Sequence, residues 1–231
     1  MQGILRRSGF ELRRVDRLGA HPLADARTIL AEARPVVFDV GANVGQTIAR
    51  VRHFMPGATI HSFEPSESTF EELRERYGDD PLIHLNRVAL GARREERKLF
   101  ENVSSEMTSF LPLGEHGWGS VAATTLVPVE TLDDYCRRAG VARIDLLKLD
   151  TQGFELEVLR GGSQTLAAGR VTLLLAEVFF AAVYERVPSF CEVQQVLSEH
   201  GFALVSIYDL HHIGQRAGWC DALFVRGTDA P

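Results

Sequence analysis

The 231-residue sequence has few cysteines, no long apolar run and no excess of basic residues. Its three cysteines are far apart and odd in number, so they predict neither a disulfide framework nor a metal motif, and they favour a cytoplasmic, reducing location. A membrane-spanning helix needs about 20 consecutive apolar residues, so we expect no integral membrane segment. The net charge of −6 argues against a nucleic-acid partner, because phosphate contacts require a basic surface.

What the sequence does contain is an alternation of short β-branched runs with helical patterns, typical of βαβ units on a parallel sheet. Two strand patterns near the C-terminus, 202–210 and 221–227, have no helix between them, which predicts an antiparallel hairpin at a sheet edge. The fold class is therefore α/β. We expect a basic, amphipathic helical arm at 1–33, which leaves peripheral membrane contact open, and a single domain at 34–231.

Several local predictions concern the connections. The pattern predicts one strand over 82–90, an edge strand over 124–130 because Pro128 cannot donate to a ladder, and a turn over 211–220. Ser68 and Glu71 have the spacing of a capping box, which predicts the start of a helix. The stretch 104–120 is rich in turn-forming residues, and a loop of this length inside a compact domain is usually functional or disordered.

The turn after the first strand, in "VVFDVGANVGQT", has the features of a cofactor loop. Gly41 and Gly45 allow tight bending, and Glu64, at the end of the next strand, can accept hydrogen bonds from both hydroxyls of a ribose. A dinucleotide fingerprint requires a glycine where this sequence has Asn43, so S-adenosylmethionine, which has no phosphate, fits better than a nicotinamide cofactor. A nicotinamide-dependent oxidoreductase and a non-catalytic cofactor-binding module remain the alternatives.

Four motifs together resemble one family, the FkbM-type S-adenosylmethionine-dependent methyltransferases. They lie within residues 35–227 and read "FDVGANVGQT", "FEPS", "LLKLDTQGFELEVLRGG" and "LLAEVF". The resemblance implies a Rossmann-like class I fold, with a mostly parallel seven-stranded sheet and a reversed last strand. It also implies O-methylation of a hydroxyl on a sugar, a glycolipid, a polysaccharide or a natural product. The partner would then be a small-molecule or glycan acceptor, and a homo-oligomer is left open.

The same resemblance implies which residues bind S-adenosylmethionine. The methionine part, the ribose, the adenine and the nearby hydroxyl loop would involve Asp39, Gly41, Asn43, Gly45, Glu64, Ser66, Val88, Ala89, Ser104 and Ser105. Asp150 has a possible second role in holding the cofactor loop. In the family pattern D-V-E-G-x-E, this chain has Gln152 at the usual acid, which weakens any transfer of a role to that position. We expect Glu155 to brace the following helix.

Methyl transfer to a hydroxyl is an in-line displacement that needs alignment of the acceptor and a base for its proton. The base candidates, in order, are Asp150, Glu177 and His211, with its neighbour His212. Asp150 and Glu177 could instead share a divalent cation, but we predict no metal ligands.

Three aromatic residues are candidates for the acceptor pocket. Phe110 and Trp118, in the 104–120 loop, could stack on a sugar ring, although loop aromatics often pack into the core instead. Tyr184 is expected to reach inward from the segment that follows the fifth strand.

Overall fold

A computed structural model of the protein describes residues 18–227, so the part of the predicted arm at residues 1–17 lies outside the described residues. The strands are β1 (Val36–Val40), β2 (Thr59–Phe63), β3 (Ile83–Asn86), β4 (Ala89–Leu90), β5 (Glu95–Asn102), β6 (Val121–Glu130), β7 (Ile144–Leu149), β8 (Val171–Phe179), β9 (Phe202–Ile213) and β10 (Arg216–Arg226). The α-helices are α1 (Pro22–Leu30), α2 (Gln46–Phe54), α3 (Glu67–Tyr77), α4 (Leu132–Ala139), α5 (Glu155–Gly161), α6 (Ser163–Ala167) and α7 (Phe190–Glu199), and a 3-10 turn covers Ser105–Met107.

Seven strands form the main sheet in the order β3-β2-β1-β7-β8-β10-β9. The first five of these pair in parallel, whereas β10 runs antiparallel to both β8 and β9. This confirms the predicted fold class, a mostly parallel seven-stranded sheet with an antiparallel C-terminal hairpin. The winding direction reverses between β1 and β7, and in such sheets ligands bind beyond the carboxyl ends of the strands at this point.

The centre of the sheet is apolar on both faces because helices cover both sides. All six residues of β7 are buried, and its alternate side chains enter two different core clusters: Leu147 packs with Phe38 on one face, and Leu146 packs with Ile48 on the other. Helix α1 adds Leu23 to the second cluster. Residues 22–30 therefore share the core of the domain, and the boundary between residues 33 and 34 stays a prediction.

The single strand predicted over 82–90 is wrong. It divides into β3 in the main sheet and the two-residue β4, which joins a separate sheet of order β4-β6-β5. The prediction that 124–130 is an edge strand is also wrong, since β6 is the middle strand of that sheet. Pro128 is tolerated there because β4 pairs only with Val129 and Glu130, so no ladder partner faces the missing N–H on that side.

Two predictions of element ends are also wrong. Helix α3 begins at Glu67 with Ser66 as its N-cap, so Ser68 lies inside the helix and no capping box forms there. The hairpin turn is much shorter than 211–220, because Gly214 adopts a φ of 61° and lets the chain reverse at once. His211 and His212 therefore lie in β9 rather than in a turn.

The helices of the described part are all short. Within residues 18–227, none is long and apolar enough to cross a membrane.

Candidate active site

A cavity of about 330 Å³ opens at the carboxyl ends of β1, β2, β7 and β8, and this volume is in the usual range for small-molecule sites. The predicted site residues that line it are Gly41, Asn43, Glu64, Ala89, Ser105, Asp150, Glu177 and His211. Five other predicted residues do not line the cavity: Asp39, Gly45, Ser66, Val88 and Ser104. The structure thus brings together the three base candidates and the central part of the predicted cofactor set.

The glycine turn after β1 is shaped chiefly by protein packing. Gly41 has a φ of 82°, and a Cβ there would overlap the backbone oxygen of Asp150 on the adjoining strand. Gly45 has a φ of 92°, and a Cβ there would overlap the ring of Tyr77. Both positions require glycine without reference to any ligand. The two glycines therefore permit a close approach between protein groups.

Glu64 fixes this turn to the end of β2. Its Oε2 accepts a hydrogen bond from the backbone N–H of Asn43 at 2.9 Å, and its Oε1 accepts one from the N–H of Ser66 at 2.9 Å. Each oxygen keeps further acceptor capacity on the side of the cavity, which fits the two hydroxyls of a ribose. Burial raises the pKa of Glu64 to about 7, even though the two amides favour the ionised form.

A buried lysine, which the sequence reading missed, lies at the base of the cavity. Lys148 Nζ lies 3.0 Å from Asp150 Oδ2 and 3.3 Å from Asp39 Oδ1. Burial alone would lower the pKa of Lys148, but the charges of Asp150 and Asp39 raise it. The sequence signal for this contact was a lysine inside the apolar run "IDLLKL", because a buried lysine is almost always paired with an acid.

Asp39 lies behind the cavity wall. Its side chain is completely buried, and in the described part of the chain neither carboxylate oxygen accepts a well-aligned hydrogen bond. Burial raises the pKa of this carboxyl. Asp39 forms an ion pair with Lys148, which does line the cavity.

Gln152 connects the two strand-end acids. Its Nε2 donates hydrogen bonds to Asp150 Oδ1 at 2.6 Å and to Glu177 Oε2 at 2.7 Å, and its Oε1 accepts one from the hydroxyl of Tyr184 at 2.7 Å. These contacts use both amide protons and so fix the amide orientation. Tyr184 does point inward, but it is fully buried and does not line the cavity, so its expected place in the acceptor pocket is wrong. Gln152, the residue at which this chain departs from the family pattern, therefore holds both carboxylates.

Glu155, the first residue of α5, braces the turn that carries Gln152, whereas the expectation was that it would brace the helix. Glu155 Oε1 accepts hydrogen bonds from the backbone N–H and the hydroxyl of Thr151, both at 2.9 Å, and from the N–H of Gly153 at 3.2 Å. Gln152 has a φ of 54°, an uncommon conformation for a residue with a side chain, and Glu155 helps to hold it. Burial raises the pKa of Glu155 to about 6.

Negative charge is concentrated around Glu177. Burial, and then the charge of Asp150, raise its pKa well above the usual value. Asp221 lies opposite Glu177 in the pairing of β8 with β10, and burial raises its pKa to about 6. Among residues 18–227, no group of three or more His, Cys, Asp or Glu side chains is arranged to hold a metal ion, so the cation hypothesis gains no ligand set.

The aromatic candidates separate into core and cavity groups. Phe110 is buried against Phe154, with ring centroids 4.7 Å apart, although its edge still borders the cavity. Trp118 is 43% exposed at the cavity mouth. His211 stacks on Trp219 with centroids 4.6 Å apart and an interplanar angle of 8°. The imidazole is therefore held flat against an indole.

This architecture, with a switch-point cavity and a reversed last strand, defines the class of S-adenosylmethionine-dependent methyltransferases with the class I fold. The structure is similar to the Methanococcus jannaschii fibrillarin pre-rRNA processing protein, with a TM-score of 0.52 and 11% identity over 91% of this chain and 70% of that one. At this identity the likeness shows the fold alone. The methyltransferase FkbM domain matches residues 39–204, and the chain belongs to this family.

Two relatives indicate which atom accepts the methyl group. The chain is 28% identical over 187 residues to the 2-O-methyltransferase NoeI of Sinorhizobium fredii, covering 73% of this chain and 77% of that protein. It is 28% identical over 206 residues to the 31-O-demethyl-FK506 methyltransferase FkbM of Streptomyces tacrolimicus, covering 77% of each. The protein is thus an S-adenosylmethionine-dependent methyltransferase, and the names of its relatives support oxygen as the accepting atom. The oxidoreductase and non-catalytic alternatives lose their basis.

Proposed function

We propose that the protein methylates a hydroxyl of a sugar or a hydroxylated natural product, with Glu177 as the proton acceptor. The observation that carries the proposal is the pair of carboxylates, Asp150 and Glu177, held on one amide of Gln152 at the cavity. Two acids fixed side by side at the switch point can bind a hydroxyl and remove its proton. S-adenosylmethionine, when bound, supplies an electrophilic methyl group.

The Asn43 and Glu64 side of the cavity would hold the cofactor. The carboxylate of Glu64 would accept the ribose hydroxyls, and the backbone of Gly41 and Asn43 would border the methionine part. Ala89 and Ser105 line the same cavity and would contact the adenine and its surroundings. Gly45, Ser66, Val88 and Ser104 do not line it, so we assign them the shaping of these walls, and we assign Asp39 the positioning of Lys148.

The two acids have different environments, which gives them different roles. Asp150 is bound by both the Lys148 ammonium and Gln152, so its charge is neutralised and its carboxylate suits the orientation of the acceptor or the cofactor. Burial and the charge of Asp150 raise the pKa of Glu177, so its ionised form is a stronger proton acceptor than an ordinary carboxylate. We therefore prefer Glu177 to Asp150 as the base, and we place His211 last because its ring is stacked on Trp219.

The proposed methyl transfer needs no reactant besides the hydroxyl acceptor and S-adenosylmethionine. Glu177 accepts the hydroxyl proton while the acceptor oxygen bonds to the methyl carbon and the carbon–sulfur bond breaks, which leaves S-adenosylhomocysteine and a methyl ether. Alignment of the oxygen by Asp150 and Glu177 contributes to the rate by removing orientational freedom.

The proposed partners follow from charge and composition. Carboxylates around the acceptor side and a net charge of −6 favour an uncharged small molecule or glycan over a nucleic acid. All three cysteines are free, and Cys191 is exposed, which supports a reducing cytoplasmic location.

The experiment is release of S-adenosylhomocysteine from S-adenosylmethionine with a panel of glycosides and hydroxylated natural products. Glu177→Gln should lower kcat by about 10²–10⁴-fold, the usual contribution of a general base. Glu157→Gln, which alters a half-buried glutamate paired with Arg160 and outside the cavity lining, is the control and should keep wild-type activity. Turnover of Glu177→Gln at the wild-type rate would contradict the proposed role.

A further inference from the structure

The cavity mouth has an aromatic stack that the proposed chemistry does not use. Trp118 lies 5.3 Å from Trp219, centroid to centroid, at an interplanar angle of 32°, and His211 covers Trp219 at 4.6 Å. All three side chains line the cavity. An exposed tryptophan supported by two further rings is an unusual surface feature, because large aromatic side chains gain free energy by being buried.

The strand register places this stack beside the carboxylates. Trp219 lies opposite His211 on β9 and opposite Phe179 on β8, and Phe179 is two residues beyond Glu177. Two residues along a strand span about 7 Å, which is close to the width of one sugar ring. The stack therefore stands on the Glu177 side of the cavity, at the distance of a neighbouring group on the acceptor.

The backbone at Trp118 is fixed by hydrogen bonds, and its ring lies against Trp219. The Trp118 backbone oxygen accepts a hydrogen bond from Asn102 Nδ2 at 3.1 Å, and Asn102 Oδ1 accepts one from the N–H of Ser104 at 3.0 Å. Asn102 itself is buried, and Gly119 has a φ of 77° next to it. A ring that is already positioned loses little conformational entropy when a ligand stacks on it.

We propose that Trp118, supported by Trp219 and His211, is the binding platform for the ring of a neutral pyranoside. A pyranose has a face of C–H groups that can lie on an indole and a rim of hydroxyls that can reach Asp150 and Glu177. An anionic ring would be repelled by the acidic surroundings of Glu177, to which Asp150 and Asp221 contribute. This inference rests on the proposed function and adds to it the acceptor class and its subsite.

Intrinsic fluorescence tests the platform without turnover, because the chain has only two tryptophans and both belong to the stack. Methyl α-D-glucopyranoside and methyl α-D-galactopyranoside would be titrated in the presence of S-adenosylhomocysteine, with D-sorbitol as the acyclic control. We expect a saturable change in emission with at least one pyranoside and none with sorbitol. No change with either pyranoside, or the same change with sorbitol, would overturn the proposal.

A pair of variants separates the platform from a general effect on the fold. Trp118→Leu should weaken pyranoside binding, or raise its KM, by about 3–10-fold, the usual effect of one aromatic contact, and should leave the Kd of S-adenosylhomocysteine unchanged. Phe180→Leu is the control, because Phe180 is similarly exposed, at 41%, but lies outside the cavity lining. Equal losses in both variants, or none in Trp118→Leu, would overturn the platform.

The outcomes also distinguish this inference from the proposed function. Pyranoside binding that depends on Trp118 but gives no methyl ether would support the platform and contradict the proposed reaction. Methyl transfer to pyranosides with an unchanged KM in Trp118→Leu would support the reaction and contradict the platform. If catechol binds in calorimetry and the pyranosides do not, the stack serves a planar aromatic acceptor, and the proposal is wrong.

Discussion

The two ends of the cavity are built from different kinds of contact. At one end, Glu64 is held by two backbone N–H groups. One belongs to Ser66, two residues further along the chain, and the other to Asn43, in the turn after the neighbouring strand β1. At the other end, Glu177 is held by the side chain of Gln152, and within residues 18–227 no lysine or arginine forms an ion pair with it. We call these the Glu64 end and the Glu177 end.

The two ends should therefore respond to different kinds of substitution. Backbone contacts depend on the path of the chain, so the Glu64 end should respond most strongly to changes that displace the turn. Side-chain contacts depend on residue identity, so the Glu177 end should respond to single polar substitutions, with changes in pH dependence and little change in stability. The expected effects below run from the largest to the smallest.

Gly41→Ala should cause the largest loss, because the new Cβ would meet the backbone of Asp150 and the residue would keep a φ of 82°. Overpacking and backbone strain together should lower the free energy of unfolding by about 2–5 kcal/mol, measured by urea denaturation. Gly140→Ala is the matched control, because Gly140 also has a positive φ but nothing lies within 4 Å of its Cβ position. An equal loss in both variants would show that strain alone acts and that the close approach is unimportant.

Glu64→Gln tests the carboxylate at the Glu64 end. Charge-assisted hydrogen bonds contribute about 1.5–3 kcal/mol, so the affinity for S-adenosylmethionine should fall about 10–100-fold in calorimetry. Because the pKa of Glu64 is raised to about 7, affinity in the wild type should improve as pH rises through 7 and the carboxylate ionises. This pH dependence should disappear in the variant. A wild-type Kd that is constant between pH 6 and 8 would count against the ribose contact.

Gln152→Met tests the amide at the Glu177 end. The loss of the amide N–H that donates to Glu177 Oε2 disfavours the ionised form of Glu177, so its pKa should rise by about one to two units. A general base is active when ionised, so the acidic limb of the kcat profile should move to higher pH in the same direction. Tyr184→Phe, which removes only the donor to Gln152 Oε1, should move the limb less. A limb that stays fixed in Gln152→Met would exclude Gln152 as a positioning residue.

Asp221→Asn should have the smallest effect, which we expect to measure in stability. The folded-state pKa of Asp221 is raised to about 6 by burial, so this acid favours folding at low pH and loses that contribution as pH rises from about 4 to 6. Above pH 6 the variant should therefore be more stable than the wild type by about 1–2 kcal/mol, and near pH 4 the difference should vanish. Asp209→Asn, at an exposed position, is the control. A variant that is less stable at pH 8 would contradict this account.

The main sheet could be predicted from the sequence because its signals are local. The runs that form β1, β7 and β8 are continuous and apolar, and each is bounded by a turn residue and a strand-end acid. The second sheet could not, because the two residues of β4 carry no periodicity and their pairing with Val129 and Glu130 spans a long stretch of chain. The tight reversal at Gly214 was missed because strand residues surround it on both sides.

The same distinction applies to the site. Strand-end spacing predicted Glu64 and Gly41 at this edge of the sheet, and both line the cavity, whereas Gly45 does not. The sequence did not reveal that Lys148 pairs with Asp150 and Asp39, or that Gln152 joins Asp150 to Glu177, because side-chain contacts between strands leave no mark in a single sequence. In each case the type of residue indicated a polar contact, but the sequence did not identify the residue that makes it.

The most direct test of the central claim is a crystal structure of the protein with S-adenosylhomocysteine bound. We expect the ribose hydroxyls within hydrogen-bonding distance of the Glu64 carboxylate and the sulfur directed toward Asp150 and Glu177. A ribose placed away from Glu64, or a sulfur that faces the opposite end of the cavity, would contradict the assignment of the two ends.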